Sequence, residues 1–433
     1  MRPAVDERAR VLRGFLAAES GRLAEACHAL ARALSRGGTL LVFGRGPAAS
    51  DAAHVVVELL HPVIVGKRAL PAVALPDAGS LPALARGDDA VLVLAHGQPG
   101  EAEQAVLADA RRRGLLTLAL TGGGPGEADF AFAVTHDDPA VVQEVHETAY
   151  HVLWELVHTF FEHPGLLEES CLTCGDVAVQ GRVVALAGAA ATVEVGGARE
   201  QVAVDLVAEK LAVGDVLLCH AGVALERVEP DPTAFLYPFL DEAEDDLPAV
   251  LADVRASTLA KGEDVTALRA SLDLGAVAAA AAAMRDRLHG GGRLLAFGNG
   301  GSATDAQDVA FDARARGWPA LALGDDPATV TAVANDVGFD NAFARQLIAL
   351  GGEGDVALAI STSGSSGSVV SGLEEARRRG MLTVALLGGD GGRAASLPGI
   401  DHIILVRGDY VPRLQEAQGT VLHLLLDAVG RPA

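Results

Sequence analysis

Between Gly38 and Leu60 the chain runs through an apolar stretch, LLVF, a glycine-punctuated turn, GRGPA, and a longer stretch, ASDAAHVVVELL. An apolar run closed by glycine, followed by apolar positions at three- and four-residue spacing, predicts a buried strand feeding a helix. The pattern repeats. GTLLVFGRGPAASDAAHVVVE (38–58) matches GGRLLAFGNGGSATDAQDVAFD (291–312), and DDAVLVLAHGQPG (88–100) matches GDVALAISTSGSSG (354–367). ADARRRGLLTLALTGGG (108–124) matches EEARRRGMLTVALLGGD (374–390), and VVQEVHETAYH (141–151) matches RLQEAQGTVLH (413–423). So long a period means duplicated domains, not a solenoid. Each copy alternates strand and helix, which predicts an α/β fold with a doubly wound parallel sheet and ligand sites at the carboxyl ends of its strands.

Between the copies the pattern changes. QGRVVALA, ATVEVGG, EQVAVDLV and VGDVLLCHAGVALERV are short β-type runs separated by small turns, the signature of a small OB-like β-barrel. The expected organisation is a degenerate first domain over 1–165, a barrel over 170–230, an acidic, proline-bearing linker over 231–247 and a second α/β domain over 248–433.

Composition narrows the function. The 433 residues carry a formal charge of −23, which argues against nucleic acid or an anionic membrane as partner. No apolar run reaches 18 residues, so no membrane span is expected. The start, MRPAVDERARVLRGF, lacks the apolar region of a signal peptide. Four cysteines suit a reducing compartment, so the expected location is cytoplasmic. Cys27 and Cys219 fall at core positions of a helix and a strand.

The second copy carries two loops suited to an oxyanion. Asn299, Gly300 and Gly301 lead into a helix opened by Ser302, whose hydroxyl and free N–H groups can grip a phosphate. Ser361-Thr362-Ser363-Gly364-Ser365-Ser366 follows the next strand and offers five hydroxyls. With VANDVGFDNAF, ARRRGMLTVALLGGDGG and the RLQE…H ending, these segments resemble the SIS (sugar isomerase) family, and within it the phosphoheptose isomerases, over most of 250–428. The resemblance implies a sugar-phosphate ligand held by Asn299, Gly300, Gly301, Ser302, Ser361, Ser363 and Ser366, with Asn335, Asp336 and Gln415 near the sugar. It also implies a homo-oligomer.

Aldose–ketose isomerisation moves a proton between adjacent carbons and needs a base near carbon and an acid or metal near oxygen. In the resembled isomerases a His and a Glu four apart share the site with a Gln and a His eight apart, and some members bind zinc with these four. The second copy places Asp308, Asp312, Gln415 and His423 there, which makes Asp312 and His423 the catalytic candidates, with Asp312 one methylene shorter than the usual Glu. The first copy keeps all four positions as His54, Glu58, Gln143 and His151. It has Ala48 in place of Ser302 and AHGQPG (95–100) in place of the serine loop. Pairing of the copies, with phosphate loops from one and ligands from the other, is therefore expected.

CLTCGDVAVQGRVVALAG and VGDVLLCHAGVALERV resemble the HypC/HupF family of [NiFe]-hydrogenase maturation chaperones. That resemblance implies that Cys171 and His220 hold the iron of an Fe(CN)2CO unit bound for a hydrogenase large subunit, alongside other maturation proteins. Three functions follow: a maturation factor that binds a sugar phosphate, a sedoheptulose 7-phosphate isomerase, or a sugar-phosphate-sensing adaptor without catalysis.

Overall fold

The computed structural model describes all residues except 65–66, 125, 168–178, 189, 196–197, 208–209, 221–222, 229–245 and 431–433, and only the backbone at 179–180, 195, 198, 200 and 220. The expected linker at 231–247 thus lies almost wholly outside the described residues, as does Cys171.

The first lobe runs α1 (Arg2–Ser35), β1 (Leu40–Gly44), α2 (Ala48–Leu60), β2 (Ala72–Ala74), α3 (Leu81–Leu84), β3 (Ala90–Ala95), α4 (Glu101–Arg112), β4 (Leu116–Thr121), β5 (Phe130–Ala133) and α5 (Pro139–Phe161). Its sheet is parallel, in the order β2-β1-β3-β4-β5. A second set of strands follows: β6 (Val179–Ala187), β7 (Ala190–Val195), β8 (Ala198–Ala203), β9 (Val216–His220) and β10 (Val223–Val228). These close into a barrel, β10-β8-β7-β6-β9. All its pairings are antiparallel except β8 with β10. Val183, Val193, Leu217 and Cys219 fill its core, which confirms Cys219 as a packing residue.

The second lobe runs α6 (Leu247–Ala270), α7 (Leu274–His289), β11 (Leu294–Phe297), α8 (Gly301–Ala315), β12 (Ala320–Ala322), α9 (Pro327–Val337), α10 (Ala342–Leu350), β13 (Val356–Ser361), α11 (Gly367–Arg378), β14 (Leu382–Gly388), α12 (Gly392–Ala395), β15 (His402–Val406) and α13 (Val411–Val429). Its parallel order, β12-β11-β13-β14-β15, repeats that of the first lobe. Strands covered on both faces read as unbroken apolar runs. Leu294, Ala296, Leu358 and Ile360 enter one core, and Leu295, Phe297, Ala357 and Ala359 enter the other.

The chain forms two compact units, residues 1–159 with 251–433, and residues 160–250. The two α/β lobes therefore share one unit instead of standing as separate domains. The reason lies in α5 and α13. From Ala140 to Val157 every residue of α5 is buried, and α13 is nearly as enclosed. A helix covered all round must sit inside a larger body.

Candidate functional site

The glycine loop after β11 turns through Gly300 at φ 57° and enters α8 at Gly301, a conformation that favours a residue without Cβ. Asn299 Nδ2 donates to Ser368 Oγ on α11 at 3.0 Å. A Cβ on Gly298 would stand 2.7 Å from the carbonyl of Ile360 on β13. The two serine-bearing loops are therefore adjacent, as a single anion cradle requires. Ser302 and Ser361 are buried. Ser361 Oγ accepts from Gly364 N at 3.0 Å, and Ser366 holds the N-cap position of α11 without capping it through its side chain.

Asn335 and Asp336 lie exposed on α9 and bond to each other at 2.9 Å. The structure does not bring their side chains to the other predicted residues. The turn beyond α9 does reach the cradle, because Asp340 packs directly against Gly367, next to Ser366.

The acid–base set comes from both lobes. A Cβ on Gly301 would overlap Gln415 Nε2 and stand 2.9 Å from His54 Nε2. The cradle of the second lobe thus faces α2 of the first. His54 Nε2 lies 3.6 Å from Glu58 Oε1, 3.4 Å from His151 Nε2 and 3.4 Å from Gln415 Nε2. His54, Glu58 and His151 each offer a ligand atom within 4.8 Å of the others, and all three are buried. Glu58 Oε2 and Gln415 Oε1 have no hydrogen-bond partner, so each keeps an oxygen for a ligand, Gln415 after a half-turn of its amide.

The copy that retained His54, Glu58, Gln143 and His151 does not use them as one set. Gln143 reaches across to Asp308 Oδ2 at 2.8 Å, and Gln415 takes its place beside His54. The set expected in the second copy is divided in the same way. Asp308, Asp312 and His423 gather with Gln143, and His423 Nε2 is 4.0 Å from Asp312 Oδ2. Asp312 stands eleven residues along α8 from Gly301, about 16 Å of helix. The assignment of Asp312 and His423 to the Ser302 cradle is corrected accordingly. Helices running past one another bring His54, and not Asp312, to the mouth of the opposite loop. At the mirror position protein groups fill the space: Ser50 donates to Asp308, and His96, which directly follows β3, pairs with Asp51.

Second-layer carboxylates orient both C-terminal histidines. His151 Nδ1 is 2.8 Å from Glu416 Oε1, and His423 Nδ1 is 2.8 Å from Glu144 Oε1. A carboxylate on Nδ1 leaves Nε2 for the site. Glu144 in turn meets Arg8 Nε at 2.7 Å, Arg269 at 3.4 Å and Thr420 Oγ1 at 2.5 Å. Burial works to raise its pKa, but Arg8, His423 and Arg269 together hold it well below the usual carboxylate range. Burial, then the neighbouring His54, push His151 down to about 3, so it stands neutral and ready to ligate. Burial opposes a charge on His54, yet Glu58 and Asp305 outweigh it and raise its pKa. Sequence reasoning missed Asp51, Glu144, Glu147, Asp305 and Glu416. The QE pairs at 143–144 and 415–416 were a visible signal for two of them.

Two lobes of repeated topology with a glycine–serine cradle define a protein of the SIS class, and residues 263–388 match the family described as SIS domain. The chain belongs to the SIS family, with phosphoheptose isomerases among its relatives. It is 42% identical over 186 residues to phosphoheptose isomerase of Geobacter sulfurreducens, covering 42% of this chain and 97% of that one. Against phosphoheptose isomerase of Shewanella sp. (strain ANA-3) the identity is 43% over 162 residues, covering 36% and 82%. The C-terminal domain of glucosamine-fructose-6-phosphate aminotransferase from Francisella tularensis shares the fold at a TM-score of 0.55 and 10% identity, over 99% of this chain and 96% of that one. Residues 177–234 match the HupF/HypC family.

Proposed function

We propose that the chain is a sugar-phosphate aldose–ketose isomerase of the phosphoheptose type, with one composite site built from both lobes. The observation that carries this reading is Gly301, which brings the Ser302 cradle against His54 and Gln415. The resembled family implies a zinc ion, and the donor set fits one: two imidazoles, a carboxylate and an amide oxygen. His54, Glu58, His151 and Gln415 would hold it. When bound, it polarises the substrate's carbonyl and hydroxyl oxygens.

The chain's own residues do the rest. Ser302, Ser361, Ser363, Ser366 and the loop N–H groups bind the phosphate dianion. Glu58 takes a proton from the hydroxyl-bearing carbon, the carbonyl becomes an enediol, and the same proton returns to the former carbonyl carbon. His151, its Nδ1 fixed by Glu416, presents Nε2 to the site, and the hydroxyl proton passes between the two adjacent substrate oxygens, so no atom is gained or lost. Burial of His54, Glu58 and His151 excludes water from the enediol.

The test is turnover of sedoheptulose 7-phosphate by zinc-loaded protein. Glu58→Gln should lower kcat by about 100- to 10,000-fold, and Asp312→Asn should leave it within a few-fold. The reverse ranking would overturn the composite site.

A second reading rests on the HupF/HypC match at 177–234: the same chain serves hydrogenase maturation, with an Fe(CN)2CO unit as cargo. Cys171 precedes the matched residues, and His220 lies on β9 within them. Anaerobically purified protein would show infrared CO and CN bands that vanish in Cys171→Ala. Absence of those bands from protein co-expressed with a maturation system would exclude this role.

A further inference from the structure

We propose that Glu147 and Asp305 hold a second divalent cation of the hard, oxygen-preferring class, beside His54. His54, Glu147 and Asp305 each offer a ligand atom within 4.8 Å of the other two, and all are buried. Glu147 and Asp305 are each 5% exposed, and Glu147 Oε1 and Asp305 Oδ2 have no hydrogen-bond partner. Two carboxylates this close and this dry repel one another and have lost their water, a cost that a cation between them removes. Both line one cleft with Asp308 and Asp312.

The arrangement is absent from the mirror position. Asp51 is the repeat counterpart of Asp305, but its Oδ1 accepts from Gln143 at 3.3 Å and its Oδ2 is taken by His96. The counterpart of Glu147 is Gly419, and a Cβ there would stand 3.0 Å from Glu147 Oε2. Glycine on α13 thus makes room for the carboxylate on α5. Glu147 also shares a face of α5 with Gln143 and His151, four residues to either side.

Ligand type separates the two positions. The first is rich in imidazole and suits zinc, whereas two carboxylates with water suit Mg2+ or Mn2+. His54 borders both: Nε2 faces the first set, and Nδ1 lies 3.3 Å from the Tyr150 hydroxyl, which lines the cleft with Glu147 and Asp305.

The proposal is tested on the full chain, first loaded with one equivalent of zinc and then titrated with Mn2+, the free ion being followed by its EPR signal. One further equivalent should bind, and Glu147→Gln and Asp305→Asn should each weaken it at least tenfold while keeping the zinc equivalent. A melting curve establishes that each variant is folded. No Mn2+ uptake up to millimolar concentration, or uptake unchanged in both variants, would overturn the proposal in favour of a carboxyl pair that shares a proton. Mn2+ uptake that survives Glu58→Gln while zinc is lost would support the second site independently of the first.

Discussion

His151 Nδ1 on α5 pairs with Glu416 Oε1 on α13 at 2.8 Å, a bond that crosses from one repeat to the other. Its mirror, His423 to Glu144, has the same length. Each repeat supplies the carboxylate that orients the other repeat's histidine, so neither lobe has a complete site alone.

Gly301→Ala should disable the site and lower stability. Its Cβ would overlap Gln415 and crowd His54, and overpacking of this kind typically costs about 1–3 kcal/mol. Urea denaturation and zinc stoichiometry check it, and loss of one zinc equivalent is expected.

Ser302→Ala should act on binding more than on chemistry. The phosphate is distant from the reacting carbons, so KM should rise about tenfold or more with a smaller change in kcat. A saturation curve with the sugar phosphate decides the point.

The share of the metal-free chain's stability that rests on neutral His151 and His146 should fall as pH drops from about 6.5 towards 3. Burial and His54 hold His151 down to about 3, and burial and His96 do the same for His146. In that window the unfolded chain takes up protons that the folded chain refuses, so protonation favours unfolding. Urea midpoints at pH 7 and pH 5 measure it as a difference. On going to pH 5 the wild type should lose more stability, or gain less, than His151→Gln, and the gap should widen in the double variant with His146→Gln.

Glu144→Gln should cost about 3–5 kcal/mol, the usual penalty for leaving buried cations without their partner. Arg8 would lose the nearer of its two anions, and Arg269 the carboxylate 3.4 Å away. The folded pKa of Glu144 lies below its ordinary value, so the contribution is present above about pH 4.5 and is lost as pH falls through the folded value. Wild type and variant should therefore converge in strong acid. An Arg8→Met/Glu144→Gln cycle measures the coupling.

The architecture was legible because strand, glycine turn and helix are local patterns, and duplication wrote each of them twice. Gly300, Ser302, Ser361 and Ser366 could be picked out because a strand-end loop needs their chemistry wherever it lies. His54, Glu58 and His151 were found as the positions that match the ligand set of the resembled isomerases. The allocation of Gln143 and Gln415 was not, since an i, i+8 spacing names a helix face but not the helix it meets. Glu147 escaped notice because its partners, Asp305 and Gly419, lie in the other repeat.

The sequence by itself determined the two α/β repeats, the barrel between them and the phosphate loops, all of which depend on short-range patterns, while the first candidate ligands came from the resemblance to the isomerases. Only the tertiary structure decided which loop faces which ligand. Packing α5 and α13 into one enclosed interior exchanged Gln143 for Gln415 and brought His54 to Gly301. Contacts between residues hundreds of positions apart arise from burial of whole helix faces, and no local pattern encodes that.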